Sequence, residues 1–170
     1  GCIVSHVVVL LGDEGHDIIV LDNLSLGTKE AVDKRAVFIE GSILNKEELI
    51  KSLADVDAVI HLAAYKSAGE SMQNPQKYSE NNVLGSMNLL RAMIEENVKN
   101  IIFSSSAAVY GFPEYLPLDE KHPLKPINHY GYTKLQTEKT IDLYGKEKQI
   151  SYTNLRYFNA AGYDALGKIT

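Results

Sequence analysis

Tyr130 and Lys134 have the residue types and the spacing of an acid/base pair. On a helix, side chains four positions apart project from the same face. A phenol with a pKa of about 10 is a poor base at neutral pH, and lowering that pKa to about 7 requires roughly 4 kcal/mol. A cation about 4 Å away supplies up to about that amount at an effective dielectric constant near 20. The spacing alone is weak evidence, because Tyr and Lys also fall four apart by chance on solvated helices.

Three consecutive serines, Ser104, Ser105 and Ser106, follow the apolar residues that precede Phe103. If those apolar residues form a buried strand, the serine hydroxyls lie at its carboxyl end, where open α/β sheets bind their ligands. The alternative is that the serines only cap the segment that follows. Because the Tyr130 and Lys134 pair comes after the next loop, we favour a combined site of hydroxyl, phenol and ammonium groups.

Asp22 follows an apolar run and lies about 20 residues after the first glycine. A carboxylate at that position accepts hydrogen bonds from an adenosine ribose and repels a 2′-phosphate, which favours NAD over NADP. The opening residues 1–6 are then the end of a glycine-rich dinucleotide fingerprint, although one glycine is a weak signal. The alternative is that Asp22 and Asn23 only form a turn.

The elements that position these residues follow a regular pattern. Short β-branched runs alternate with longer amphipathic runs, as in parallel β-α-β units, and their nearly continuous apolar character is typical of doubly wound sheets. The predicted strands are Asp17–Leu21, Val37–Glu40, Asp57–Leu62, Asn100–Ser104 and Ser151–Leu155. The predicted helices are Ser5–Leu11, Lys46–Leu53, Pro75–Glu96 and Asn128–Lys148. We therefore predict an α/β fold, with a Rossmann-like NAD-binding domain over residues 1–170.

Local signals mark some of the boundaries. Asn45, with Glu48 three residues later, is a capping box that begins the second helix. Pro75 suits the first position of the third helix. The segment Gly111–Pro126 contains four prolines, and we predict a loop there.

Composition excludes several classes of protein. The chain has 170 residues, of which 45% are hydrophobic, so one domain with a real core is expected. Its 17 Lys and Arg against 22 Asp and Glu give a net charge of −5, which argues against nucleic acid or an anionic membrane as a partner. The single cysteine, Cys2, suggests a reducing compartment, so we expect a cytoplasmic protein. The histidines have no metal-ligand spacing and we expect no metal site; they are His6, His16, His61, His122 and His129.

No apolar strand precedes the first predicted helix. In a doubly wound sheet the first strand lies in the middle. Its absence leaves two strand edges without partners, and unmade buried backbone hydrogen bonds cost about 1–3 kcal/mol each. We therefore expect the natural protein to have roughly ten more residues upstream, forming an apolar strand followed by glycine, and a further lobe after Thr170.

Several segments together resemble one known family over essentially the whole chain. The discriminating segments are Val20–Leu24, His61–Ser71, Tyr78–Val83, Phe103–Gly111 and Leu155–Asn159. The chain resembles the UDP-hexose 4-epimerases of the extended short-chain dehydrogenase/reductase family, and it corresponds to about the first half of that family's usual chain. Related 4,6-dehydratases carry an Asp-Glu pair where this chain has Ala107 and Ala108, which disfavours a dehydratase.

The resemblance implies a role for each site residue. Tyr130 is the expected acid/base residue on the sugar C4 hydroxyl, Lys134 lowers its pKa, and Ser106 hydrogen-bonds the same oxygen. The implied NAD-binding residues are Gly1, Cys2, Ile3, Asp22, Asn23, Leu24, Ser25, Gly27, Ser42, Ile43, Leu62, Ala63, Ala64, Lys66, Asn81, Ser104, Tyr130, Lys134, Tyr157 and Phe158. The implied substrate-binding residues are Lys66, Ser106, Ala107, Tyr130 and Asn159.

The resemblance also implies a reaction. UDP-galactose and UDP-glucose interconvert through a 4-keto intermediate while hydride passes transiently to NAD. The family commonly forms homodimers through the helices predicted over Pro75–Glu96 and Asn128–Lys148. We expect the 170-residue chain itself to be inactive, because the nucleotide-sugar lobe of the family lies outside it.

The chain departs from the family pattern at three positions. Val4 replaces a fingerprint glycine, Ser42 replaces an aspartate near the adenine, and Gly12 replaces a leucine in the first helix. Two alternatives therefore stand beside the epimerase interpretation. One is a non-catalytic nucleotide-binding module, and the other is a sibling epimerase for N-acetylated or uronic acid sugars.

Overall fold

The structure, a computed structural model, describes residues 2–161, and for Cys2 only the backbone. Its strands are β1 Ile19–Asp22, β2 Val37–Glu40, β3 Ala58–His61, β4 Asn100–Ser106 and β5 Ser151–Tyr157. Its α-helices are α1 Cys2–Asp13, α2 Lys46–Leu53, α3 Ala68–Gln73, α4 Pro75–Tyr78, α5 Gly85–Glu95 and α6 His129–Lys148. The α/β fold with parallel strands is confirmed.

The strands pair in parallel in two groups. β1 pairs with β2, with Ile19 opposite Val37. β3, β4 and β5 pair in that order, with Asn100 of β4 opposite Ala58 of β3 and Ser151 of β5. Within residues 2–161, β1 pairs only with β2 and β3 only with β4, so each has one edge without a strand partner. The strand expected upstream of Gly1 stays a prediction.

All five predicted strands form, with ends that shift by up to two residues. The segment predicted as one helix over Pro75–Glu96 is helical as far as Glu95, but it is not one regular α-helix. The chain instead forms the short helix α4, a π-helical segment at Ser79–Leu84 and then α5. A π-helical turn adds one residue to the helical repeat, and such turns are frequent at functional sites. The apolar 3.6-residue pattern detects the helical face but not this change of pitch.

The main hydrophobic core lies where α2, α5 and α6 pack against β4. Its fully buried members include Leu49 of α2, Met93 of α5, Phe103 of β4 and Ile141 of α6. Burying side chains of this size stabilises a fold by about 1.5–3 kcal/mol each. The core therefore fastens β4 and α6 together, and these two elements carry the three serines and the Tyr130 and Lys134 pair.

The capping box of α2 forms with a different geometry from the one predicted. The Asn45 side chain accepts the N–H groups of Glu47 at 3.0 Å and Glu48 at 3.4 Å. The Glu48 carboxylate accepts the Asn45 side-chain amide at 2.8 Å and the Ser42 N–H at 2.6 Å. Glu48 thus connects the start of α2 to Ser42, two residues after the end of β2.

Gly12, which replaces the usual leucine in α1, lies against the Arg35 side chain. A Cβ atom at Gly12 would approach the Arg35 Cζ at 2.9 Å. Arg35 forms ion pairs with Asp13 at 2.9 Å and with Asp33 at 2.7 Å, and it donates to the Val9 carbonyl at 3.3 Å. Glycine at this position lowers the helix propensity of α1 by about 1 kcal/mol. The Arg35 side chain packs over the helix at the same position.

No helix within residues 2–161 has both the length and the apolar character needed to cross a membrane.

His61, the last residue of β3, is a buried neutral imidazole. Its Nε2 lies 2.8 Å from the Ser86 hydroxyl, which in turn donates to the Asn82 carbonyl at 2.6 Å. Because Ser86 has one proton to donate, Nε2–H donates to Ser86 and Nδ1 carries no proton. Burial, together with a smaller effect of the Lys134 charge, lowers the pKa of His61 to about 3.

This pKa predicts a loss of stability in acid. Unfolded His61 takes up a proton below about pH 6.5, whereas the folded protein does not until about pH 3. Stability should therefore fall as the pH drops through this range, by about 1.4 kcal/mol per pH unit from this group. We expect His61→Gln to show a slope shallower by that amount in urea denaturation at stepped pH. The control His16→Gln changes an exposed histidine and should keep the wild-type slope. Equal slopes for wild type and His61→Gln would contradict the assignment.

Candidate active site

A cleft of about 1020 Å³ lies at the carboxyl ends of all five strands. Because the strands are parallel, the residues that follow each of them meet at one edge of the fold. The predicted site residues that line the cleft are Ile3, Asp22, Asn23, Ser25, Gly27, Ser42, Ile43, Leu62, Ala63, Ala64, Lys66, Asn81, Ser104, Ser106, Tyr130, Lys134, Tyr157, Phe158 and Asn159. The structure thus brings the three predicted catalytic residues and most predicted binding residues to one cavity.

Among the predicted binding residues whose side chains the structure describes, Leu24 and Ala107 do not line the cleft. Leu24 has a left-handed backbone conformation with φ of 57° and forms the turn after β1. Ala107 begins a short 3-10 turn after Ser106. Gly1 and the side chain of Cys2 lie outside the described residues, and their roles stay predictions.

The first turn of α6 is held from two sides, and this fixes the backbone of Tyr130. The Asn128 side chain caps the helix by accepting the Gly131 N–H at 2.8 Å. The Tyr130 N–H donates to the buried Ser71 hydroxyl of α3 at 2.9 Å. Gly131 permits close approach, because a Cβ atom there would lie 2.5 Å from the Ala108 carbonyl oxygen. The turn that carries Tyr130 therefore packs directly against the residues that follow Ser106.

Lys134 extends from α6 beneath the phenol. Its side chain is almost completely buried, with the residue 4% exposed. The ammonium donates to the Ser104 carbonyl at 2.7 Å. It lies 5.9 Å from the centre of the Tyr130 ring and 4.8 Å from the centre of the Phe103 ring. The two groups therefore share one cleft, as their four-residue spacing predicts.

Burial acts on the pKa of both members of this pair. It lowers the pKa of Lys134 to about 8, while the charge of Glu138 opposes that change. It also raises the pKa of Tyr130, and hydrogen bonding to the Ser106 side chain opposes that rise. The groups on the chain therefore do not by themselves lower the phenol pKa. The predicted lowering stays a prediction for a site that also holds a positively charged nicotinamide.

The turn after β1 places two polar side chains at the cleft. Asp22 Oδ1 accepts the Leu24 N–H at 2.7 Å, and Asn23 Oδ1 accepts the Ser25 N–H at 3.1 Å. Both residues also line the cavity. Asp22 and Asn23 therefore form the turn and can also contact a ligand, because the turn uses only one oxygen of each side chain.

The segment after β3 is fastened by Asn82 of the π-helical segment. Its side chain accepts the Tyr65 N–H and donates to the Tyr65 carbonyl, both at 2.9 Å. It also contacts the Thr133 hydroxyl of α6 at 3.3 Å. The neighbouring residues Ala64 and Lys66 line the cleft, as does Asn81. One buried amide therefore connects the loop after β3 to the helix that carries Tyr130 and Lys134.

A second set of contacts holds the far end of the same loop. The Tyr78 hydroxyl accepts the Ser67 N–H at 3.1 Å and donates to the Glu70 carboxylate at 2.9 Å. Lys77 donates to the same carboxylate at 2.6 Å. Lys66 thus lies between two anchored neighbours.

Sequence reasoning missed Asn82 and Glu138, which support the site without lining it. Asn82 adjoins Asn81, and no one-dimensional pattern distinguishes the amide that faces the cleft from the one that faces the interior. Glu138 has a clearer signal, since it continues the four-residue spacing of Tyr130 and Lys134 along α6. Residues 2–161 contain no group of three or more His, Cys, Asp or Glu side chains placed to hold a metal ion.

Comparison with known proteins gives a family match and similar relatives. The sequence pattern of the NAD dependent epimerase/dehydratase family matches residues 1–168. The UDP-glucose 4-epimerase of Lactobacillus helveticus is 48% identical over 171 aligned residues, which cover 99% of this chain and 52% of that protein.

Solved structures agree with this placement. The crystal structure of UDP-glucose 4-epimerase from Brucella ovis in complex with NAD matches with a TM-score of 0.94 and 42% identity, covering 97% of this chain and 51% of that one. The UDP-Glc/GlcNAc 4-epimerase of Campylobacter jejuni matches with a TM-score of 0.84 and 35% identity, covering 98% and 54%. The chain therefore spans about half the length of the relatives it matches.

The geometry around Asn82 predicts the effect of a near-isosteric change. Asn82→Asp keeps the acceptor for the Tyr65 N–H but loses the donor to the Tyr65 carbonyl, and it buries a carboxylate. We expect the free energy of unfolding to fall by about 2–3 kcal/mol, measured by urea denaturation. The control Asn88→Asp alters a half-buried amide with one 3.4 Å contact and should cost under about 1 kcal/mol. Equal losses for the two variants would show that Asn82 does not fasten the loop.

Proposed function

The chain belongs to the NAD dependent epimerase/dehydratase family, and from that premise we propose that the whole protein is a UDP-glucose 4-epimerase. It interconverts UDP-galactose and UDP-glucose with NAD as a bound cofactor. The observation that carries the proposal is that Tyr130, Lys134 and Ser106 line one cleft of a chain whose relatives carry that name. The remainder of the protein supplies the rest of the sugar-binding surface.

The groups that line the cleft fit a dinucleotide. Asp22 and Asn23 offer oxygen and amide groups to an adenosine ribose at the end of β1. Ala63 and Ala64, which follow β3, have small side chains and leave room in the cleft for the dinucleotide. When bound there, NAD would supply a reversible hydride acceptor for the sugar C4 carbon. Val4 lines the same cleft, where the family pattern has glycine, and narrows the space at the start of α1.

Tyr130 removes and returns the proton of the sugar C4 hydroxyl. Its phenol lines the cleft together with Ser106, and the Ser71 hydroxyl holds its backbone. The Lys134 ammonium beside the ring stabilises the phenolate electrostatically. Lys66, Ala107 and Asn159 contact the nucleotide sugar in this proposal. Of these, Lys66 and Asn159 line the cleft.

A sibling activity has a specific observation in its favour. The matched Campylobacter jejuni protein is named for both UDP-Glc and UDP-GlcNAc. N-acetylated sugars are therefore a second candidate substrate class. The non-catalytic alternative rests on Val4, and turnover by the whole protein distinguishes it from both epimerase candidates.

We extend the proposal to assembly and location. Large side chains that are exposed on the helical segments Pro75–Glu96 and Asn128–Lys148 support a homodimer. They include Leu84, Tyr132 and Leu143. A cytoplasmic location is supported by the single cysteine of the chain.

We expect purified full-length protein to convert UDP-galactose to UDP-glucose with bound NAD, measured by chromatography of the nucleotide sugars. The 170-residue chain alone should bind NAD without conversion, because it spans about half the length of its relatives. UDP-N-acetylgalactosamine is assayed in parallel. Absence of turnover by the full-length protein on every UDP-sugar would favour the non-catalytic module.

Tyr130→Phe tests the base. Loss of the hydroxyl should lower turnover by about 10²–10⁴-fold, while NAD retention stays within a few-fold of wild type. The matched control is Tyr132→Phe on the same helix, where the side chain is 54% exposed. That variant should keep wild-type turnover. Comparable turnover of Tyr130→Phe and wild type would show that another group moves the proton.

A further inference from the structure

Glu138 is a buried acid one helical turn beyond Lys134 on α6. It is 5% exposed, and its carboxylate receives three hydrogen bonds. The Ser105 hydroxyl donates to Oε1, Arg156 Nε donates to the same oxygen at 3.0 Å, and Arg156 Nη2 donates to Oε2 at 2.8 Å. This two-point ion pair joins α6 to β5, and the serine joins both to β4.

The network continues to the segment after β4. Arg156 Nη1 donates to the Tyr110 hydroxyl at 3.2 Å, and the guanidinium carbon lies 5.1 Å from the centre of the Tyr110 ring. Ser105, which donates to Glu138, lies between Ser104 and Ser106. The Ser104 carbonyl accepts a hydrogen bond from the Lys134 ammonium, and Ser106 lines the cleft together with Tyr130. Glu138 therefore holds Ser105, the middle residue of the Ser104–Ser106 segment at the end of β4.

Glu138 also acts on Lys134 by charge. Residues four apart on a helix share a face. The ionisable groups around the ammonium are Tyr130 and Glu138 on α6, His61 on β3, and Arg156 on β5 through its pair with Glu138. His61 is neutral, so Glu138 is the one negative charge among these groups. Its charge raises the pKa of Lys134 against the effect of burial.

We propose that Glu138 is a positioning residue of the site: its buried carboxylate keeps the Lys134 ammonium charged beside Tyr130 and fixes the Ser104–Ser106 strand end. The inference rests on the proposed function, because the charge on Lys134 matters through its effect on Tyr130. A buried ion pair adds little stability over well-packed apolar residues of similar volume. Its position next to a buried lysine therefore points to a role at the site.

The test measures the ionisation of Lys134 directly. Protein labelled with ¹³C in the lysine Cε atoms is titrated by NMR, and the Lys134 signal is assigned with Lys134→Arg. Glu138→Gln removes the charge and keeps the shape. We expect the pKa of Lys134 to fall by about one pH unit relative to wild type. The control Glu147→Gln removes an exposed carboxylate from the same helix and should leave the Lys134 titration unchanged.

A second variant keeps the test decisive if the unpaired Arg156 repels Lys134 or impairs folding. Glu138→Gln combined with Arg156→Gln removes both charges of the ion pair. A fall in the Lys134 pKa in this double variant as well as in the single one supports the proposal. A fall in the single variant only would trace the effect to the unpaired arginine and would overturn it. An unchanged Lys134 titration in both would overturn it too.

This experiment needs no substrate or cofactor, so its outcome is separate from that of the proposed function. A lower Lys134 pKa in a protein without epimerase activity would keep the positioning role and discard the activity. In an active full-length protein, Glu138→Gln should also move the alkaline limb of the kcat profile to lower pH, because Lys134 loses its proton earlier. A purely structural role would lower the rate without moving that limb.

Discussion

A lysine ammonium held away from water is the constraint on which the site depends. Desolvation disfavours the charged form, and in this protein three features offset the cost: the Ser104 carbonyl, the Phe103 ring and the Glu138 carboxylate. Each comes from an element of the main core, β4 or α6. The packing of these two elements therefore determines both the position of the charge and its persistence at neutral pH.

The other parts of the cleft follow from parallel topology. The described strands are parallel within each of the two sheets, and the cleft lies at the carboxyl ends of both. The Asp22 turn, the loop at Lys66, the three serines and Asn159 therefore lie around one cleft. Asn82 and Ser71 then fasten the loop after β3 and the start of α6 to each other through buried hydrogen bonds. Unpaired buried polar groups are costly, so these contacts hold the loop and the helix together.

Prediction from the sequence succeeded where a signal is local and repeated. The five apolar runs became strands, Lys46–Leu53 became α2, and the four-residue spacing placed Tyr130 and Lys134 in one cleft. It failed at Pro75–Glu96, where a continuous apolar pattern concealed a π-helical segment that turns Asn82 inward. It also missed α3, a short helix with little periodicity, and therefore missed Ser71 as the partner of the Tyr130 backbone.

The amino-acid sequence by itself determined the α/β alternation, the identity of the candidate base and its cation, and the acid after β1, because each depends on residue type and near-neighbour spacing. Tertiary structure alone decided the charge environment. Whether Lys134 is charged depends on burial and on Glu138 of α6, which Arg156 of β5 and Ser105 of β4 hold in place. Desolvation and long-range ion pairing depend on distances in space between residues far apart in the chain, and no local pattern encodes those distances.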